Sequence, residues 1–266
     1  MLSFLFYYLQ LVLLLPGTLL VCGFAVRLCA VAFGALTGTA SGALFDLTSV
    51  LGTPVHELGH AAMCPLFGHK ITGMRLWAPR HVDGRYGYVE HSYNKNNPWA
   101  RLGSIFIGVG PLFSGLAVVV FALWLCFPSL WSDYLLHSEA LVAAGSLDAS
   151  LWTGVWELLA ALPGAFLADP LRSLLGIALI LSVSLHVSLS RQDVREARRS
   201  LPLFFLLLMV FALLSYAARL DGRVLSFLWL ADLRMLSLFA LVLTFALLWV
   251  ALALLWRFLR VFITWF

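Results

Sequence analysis

Long apolar stretches broken by short polar ones dominate this chain. Six of them have the length a helix needs to cross a bilayer, about 20 residues: roughly 4–26, 43–66, 101–127, 171–190, 201–219 and 235–256. A small-residue linker, GALTGTASGAL, separates the first two. Two segments follow other periods. Residues 70–94 hold two loosely alternating runs, ITGMRLW and RYGYVEHSY, on either side of a Pro/Asp/Gly turn. Aromatic and β-branched residues at period two predict a β-hairpin. Residues 151–169 predict a helix lying in the interface, with Trp152 and Trp156 at headgroup level.

Composition agrees with this pattern. Of 266 residues, 62% are hydrophobic and 11% charged, against about half and a quarter in soluble domains. The expected fold is therefore an all-α polytopic membrane protein of about six transmembrane helices with a small cytoplasmic β-hairpin, one integral membrane domain over 1–266. The lipid bilayer is its surroundings, and the net charge of +4 is read as loop charge rather than a nucleic-acid surface. Basic loops stay inside. Segment 67–101 carries Lys70, Arg75, Arg80, Arg85, Lys95 and Arg101, and segment 191–200 carries four arginines, whereas 128–170 has acidic residues and no Lys or Arg. That places 67–101, 191–200 and both termini in the cytoplasm, in a plasma (inner) membrane, with 128–170 outside. The first stretch lacks a basic start and reads as a retained helix. The four cysteines have no paired spacing and imply no disulfide framework.

One short stretch does not fit an inert span. Residues 53–60 read TPVHELGH. On a helix His56 and His60, four apart, face the same way, so each can turn one nitrogen toward a single metal ion. Glu57, one residue round, is placed to hold and deprotonate a water. This is the mechanical content of H-E-x-x-H, in which zinc makes water acidic near pH 7. Ionisable groups in a span cost about 2.5–3.5 kcal/mol each on insertion scales and are functional by default. A zinc hydrolase takes a third protein ligand. Span four ends SVSLHVSLSRQDVREARRS at the face where span two also ends, which makes Asp193 the first choice and His186 the second, His186 serving otherwise as a group that orients a ligand. Cys64, four residues past His60, reads as a buried apolar cysteine.

HELGH in an inward-running span, a strand-rich segment after it, NPWARLGSIFIGVGPLFSGL at 97–116 and an aspartate after the next inward span together resemble the site-2 protease family of intramembrane zinc metalloproteases. The resemblance covers 43–200 as a metalloprotease-like core, with 201–266 as additional C-terminal helices. It implies Zn²⁺ on His56, His60 and Asp193, Glu57 as general base, and a membrane-anchored protein or peptide helix as substrate, cut near the cytoplasmic face. Such a substrate must unwind before its backbone can be attacked, and a strand edge of the hairpin can hold it extended. Gly73 and Gly87 would permit close backbone approach, and Asn96 and Asn97 would donate to an oxyanion or to substrate backbone or, on the plainer reading, cap the loop. The chain departs from the family around Asp193, where the prolines are absent and Val194 stands in place of glycine. The competing class is a non-catalytic scaffold or helix-binding protein of the same architecture.

Overall fold

The computed structural model describes residues 2–38, 40–79, 85–145 and 150–265. Among these the protein is overwhelmingly helical, with one two-stranded sheet. Helix α1 (Leu2–Val12) runs into α2 (Thr18–Thr37) through a break at Leu13–Gly17, where Leu15 takes a positive φ and Pro16 removes an amide donor. Asp232, itself buried, caps the break: it accepts from the Leu15 N–H and the Thr18 hydroxyl, each at 2.9 Å. Helix α3 (Ala40–Leu66) carries HELGH. Only Gly38 and Thr39 separate it from α2, so most of the expected linker is helical: alanine and isolated glycines there are tolerated by a helix.

Strands β1 (Lys70–Arg75) and β2 (Tyr88–Ser92) pair antiparallel, Lys70 opposite Ser92, with a bulge between Ile71 and Gly73. The predicted hairpin is present with shorter strands, while its Asp83–Gly84 turn lies outside the described residues. Helix α4 (Pro98–Cys126) follows, then α5 (Pro128–Ala144) and α6 (Ser150–Ala168). Segment 128–170 is thus a helical pair over most of its length, and the helix expected over 151–169 is present as α6, with Trp152 and Trp156 exposed. Helix α7 (Pro170–Ser184) stops short of the span expected over 171–190, and residues 185–190 are turns. Helices α8 (Arg191–Arg198), α9 (Leu201–Ala217) and α10 (Asp221–Trp265) complete the chain.

Among the described residues, three helical stretches are long and apolar enough to cross a membrane: Leu2–Thr37, Pro98–Cys126 and Asp221–Phe262. A fourth is added if α8 and α9, bent by 60°, count as one. Among the six expected spans, α7 is too short to qualify, and α3 is long enough but carries Asp46, His56, Glu57 and His60.

The core is built around α4. Half of its apolar window is buried, against 22% for the N-terminal stretch. Leu112, Val119 and Leu123 pack with Ile180 and Val183 of α7 and Phe239, Leu241 and Phe245 of α10. Where α3 crosses α4 the two backbones touch: a Cβ at Gly59 would stand 2.7 Å from the Gly110 carbonyl carbon, so no side chain fits at that crossing. Apposed glycines of this kind bring helix backbones together in lipid as well as in water.

Candidate metal centre

Three faces of the fold meet at HELGH. On one stripe of α3, Gly52, His56 and His60 repeat every four residues. Gly52 lies against the His186 ring, so the turn after α7 sits directly on this stripe. The neighbouring stripe, Ser49, Thr53 and Glu57, is covered by the hairpin. Trp77 donates its indole N–H to Ser49 Oγ at 2.8 Å, and a Cβ at Gly87 would come within 2.8 Å of Glu57. The close approach that Gly87 permits is thus an approach to α3 within the chain. Gly73, at the bulge, has only ordinary van der Waals neighbours.

Hydrogen bonds fix both imidazoles. His60 Nδ1 lies 2.7 Å from the Ile107 carbonyl and His56 Nδ1 lies 2.9 Å from the His186 carbonyl. A carbonyl only accepts, so both Nδ1 atoms carry the proton and donate. Each carbonyl has a lone pair to receive them for local reasons. Pro111, four residues past Ile107, has no N–H to close that helical bond. His186 lies past the end of α7, where its carbonyl accepts from the Ser188 N–H at 2.9 Å and keeps its second lone pair for His56.

Both Nε2 atoms are therefore bare, and they face each other at 3.2 Å. Asp193 completes the group, its Oδ1 3.3 Å from His60 Nε2 and its Oδ2 3.9 Å from His56 Nε2. Two lone pairs and a carboxylate at such distances repel unless a proton or a cation sits among them. Tetrahedral zinc with bonds of 2.0–2.1 Å spaces its ligand atoms about 3.3–3.4 Å apart, close to two of the three separations here. The His56–His60–Asp193 group can hold a metal ion, and its donor set of two imidazoles and a carboxylate fits one.

Asp193 is held from its own helix. Ser190 caps α8 by accepting from the Asp193 N–H at 3.1 Å, and Asp193 Oδ2 accepts from the Ser190 N–H at 2.7 Å. This reciprocal box spends one oxygen on the backbone and turns Oδ1 toward His60. From α2, Arg27 donates to the Leu189 carbonyl at 2.7 Å, steadying the turn that leads to the cap. Glu57 is 8% exposed, and its carboxylate lies within electrostatic reach of His60 and Asp193.

The remaining expected residues fall as follows. The His186 ring bonds Thr48 Oγ1 at 3.2 Å, so the residue serves the centre through its carbonyl rather than as a ligand. Asn97 caps α4, accepting from the Trp99 N–H at 3.0 Å, and the Asn96 N–H donates to Asn94 Oδ1; both asparagines are exposed. Cys64 is fully buried and does not belong to the group. Residues that position the centre without having been expected are Pro111, Arg27 and the capping role of Ser190. Of these, Ser190-x-x-Asp193 carries a sequence signal, the capping-box spacing.

Compared with protein-family models, curated proteins and solved structures, the chain matches none.

Proposed function

We propose that the protein is a zinc-dependent intramembrane endopeptidase, a divergent relative of the site-2 proteases. One observation carries the reading: two imidazoles whose Nδ1 protons are committed to backbone carbonyls present bare Nε2 atoms to each other and to a carboxylate, with the glutamate of H-E-x-x-H beside them. When bound, zinc polarises a carbonyl and makes water acidic near neutral pH. His56, His60 and Asp193 hold it. Glu57 takes a proton from the attacking water at its carboxylate and returns it to the leaving amine. The hairpin lies on the Glu57 stripe of α3, so an extended substrate segment pairing with its edge is delivered beside the carboxylate. The substrate class is a membrane-anchored protein or peptide helix, unwound near the cytoplasmic face.

In this reading α1–α2, α3, α4, α7, α9 and α10 are the six crossings, with exposed leucines on α3 and α7 facing lipid. Both termini and the basic α8 face the cytoplasm of a plasma (inner) membrane. The test pairs two variants. Glu57→Gln keeps zinc and abolishes cleavage, whereas His56→Ala loses both. Undiminished turnover in Glu57→Gln rules the mechanism out. A chain that binds zinc yet cleaves no membrane-anchored helix belongs to the scaffold class.

A further inference from the structure

A second constellation lies beside the centre and shares none of its ligands. His69, 5% exposed, has its Nε2 2.7 Å from the Ala100 carbonyl and its Nδ1 3.0 Å from His91 Nδ1. The same accounting applies as before. His69 must donate from Nε2 to the carbonyl, so in its neutral form its Nδ1 is an acceptor, and His91 must donate from Nδ1 to it. His91 Nε2 is then bare. It faces Glu196 Oε2 at 3.7 Å. The other Glu196 oxygen accepts from Gln192 Nε2 at 3.2 Å, which leaves the Gln192 amide oxygen open.

His91, Gln192 and Glu196 line a cavity of about 30 Å³ whose far wall is His60 and Asp193. That is room for a water or two. A bare imidazole nitrogen and a carboxylate thus meet at one wet space, the imidazole aimed by its bond to His69 and the carboxylate held by the Gln192 amide, as metal-binding side chains are held by their neighbours. The geometry points to a second divalent-cation site formed by His91 Nε2 and the Glu196 carboxylate, with water filling the remaining positions. The imidazole and carboxylate donors suit a borderline ion of the zinc, cobalt or nickel class. With one imidazole fewer and a half-exposed carboxylate, this site is the weaker of the two. An ion held there stands in the aqueous space that reaches His60 and Asp193, so it either waits on the way to the inner centre or closes the cavity when zinc is in excess.

The inner centre enters only as the far wall of the cavity, so the two sites can be separated by experiment. Full-length protein in detergent, stripped of metal at neutral pH, is titrated with zinc, and again with cobalt to follow the absorption of each site. Wild type is expected to take up two ions, the second more weakly. His91→Gln and Glu196→Gln each lose the second ion and keep the first, and His60→Ala loses the first and keeps the second. Glu196 lies on a helix face reached by solvent, so its amide variant tests the site with the fold undisturbed. Saturation of wild type at one ion that survives in both His91→Gln and Glu196→Gln overturns the inference while leaving the inner centre standing. A single ion that survives His60→Ala but not His91→Gln upholds it and overturns the protease reading instead.

Discussion

Replacing Pro111 by alanine tests how the centre is built, because the proline works on His60 from a neighbouring helix. In the native chain position 111 has no N–H, and the Ile107 carbonyl is left to accept from His60 Nδ1 at 2.7 Å. Alanine restores a donor four residues past Ile107 and favours helix by about 3 kcal/mol over proline in a helix interior. The new amide claims the Ile107 carbonyl, and the bond to His60, worth about 0.5–1.5 kcal/mol net, is weakened. Loss of a partner that orients a metal-binding histidine lowers metal affinity by roughly 10–100-fold. On this reasoning Pro111→Ala is at least as heat-stable as wild type and binds zinc roughly 10–100-fold more weakly. Competition against a chromophoric chelator in detergent measures the affinity, and thermal unfolding of the same sample measures the stability. Zinc affinity within about threefold of wild type, a smaller loss than removal of an orienting partner produces, would refute the link between Pro111 and His60.

Other substitutions separate the remaining contributions. Gly59→Ala drives a methyl into the Gly110 backbone, so it is expected to lower stability by about 1–3 kcal/mol, whereas Gly164→Ala on α6, where nothing stands within 4 Å, is neutral or stabilising by about 0.5–1 kcal/mol; thermal unfolding compares the two. Ser190→Ala removes the α8 cap, worth about 1 kcal/mol, and releases Asp193, so zinc binding weakens while Ser190→Thr retains it; chelator competition reads both. His186→Gln leaves one zinc per chain at the inner centre, because the residue contributes its carbonyl; loss of that metal in the variant would make the ring a ligand after all.

The sequence made the helical character, the hairpin and the metal-ligand group legible for definite reasons. Period-two alternation marks 70–94, and the four-residue spacing of His56 and His60 survives any helix. Asp193 was reachable on the expectation that two spans running to one face bring their ends to one depth, and the structure brings Asp193 to His56 and His60. The geometry that makes the group fit for a metal was not legible. It depends on which backbone carbonyls have a lone pair turned to the imidazoles, and that follows from Pro111 and from the early end of α7, neither of which hydrophobic length records. Length also misled at the ends of elements. Leu185, Val187 and Leu189 continue the hydropathy of α7, but residues 185–190 leave the helix, with Arg27 bound to the Leu189 carbonyl and Asp193 to the Ser190 N–H. The capped break at Leu13–Gly17 hides inside an unbroken apolar run, and its partner Asp232 lies more than 200 residues away in the chain. Gly87, singled out as a place where a substrate backbone could come close, lies against the Thr53 and Glu57 side chains of α3, which spacing alone could not show.

X-ray absorption at the zinc edge, on purified full-length protein loaded with one equivalent of zinc, addresses the metal centre most directly. The expected result is one tightly held zinc with two imidazole nitrogens and oxygen donors at about 2.0–2.2 Å, and a signal that vanishes from this tight site in the double variant His56→Ala, His60→Ala. A sulfur shell at about 2.3 Å, or a zinc signal indifferent to that double variant, would contradict it.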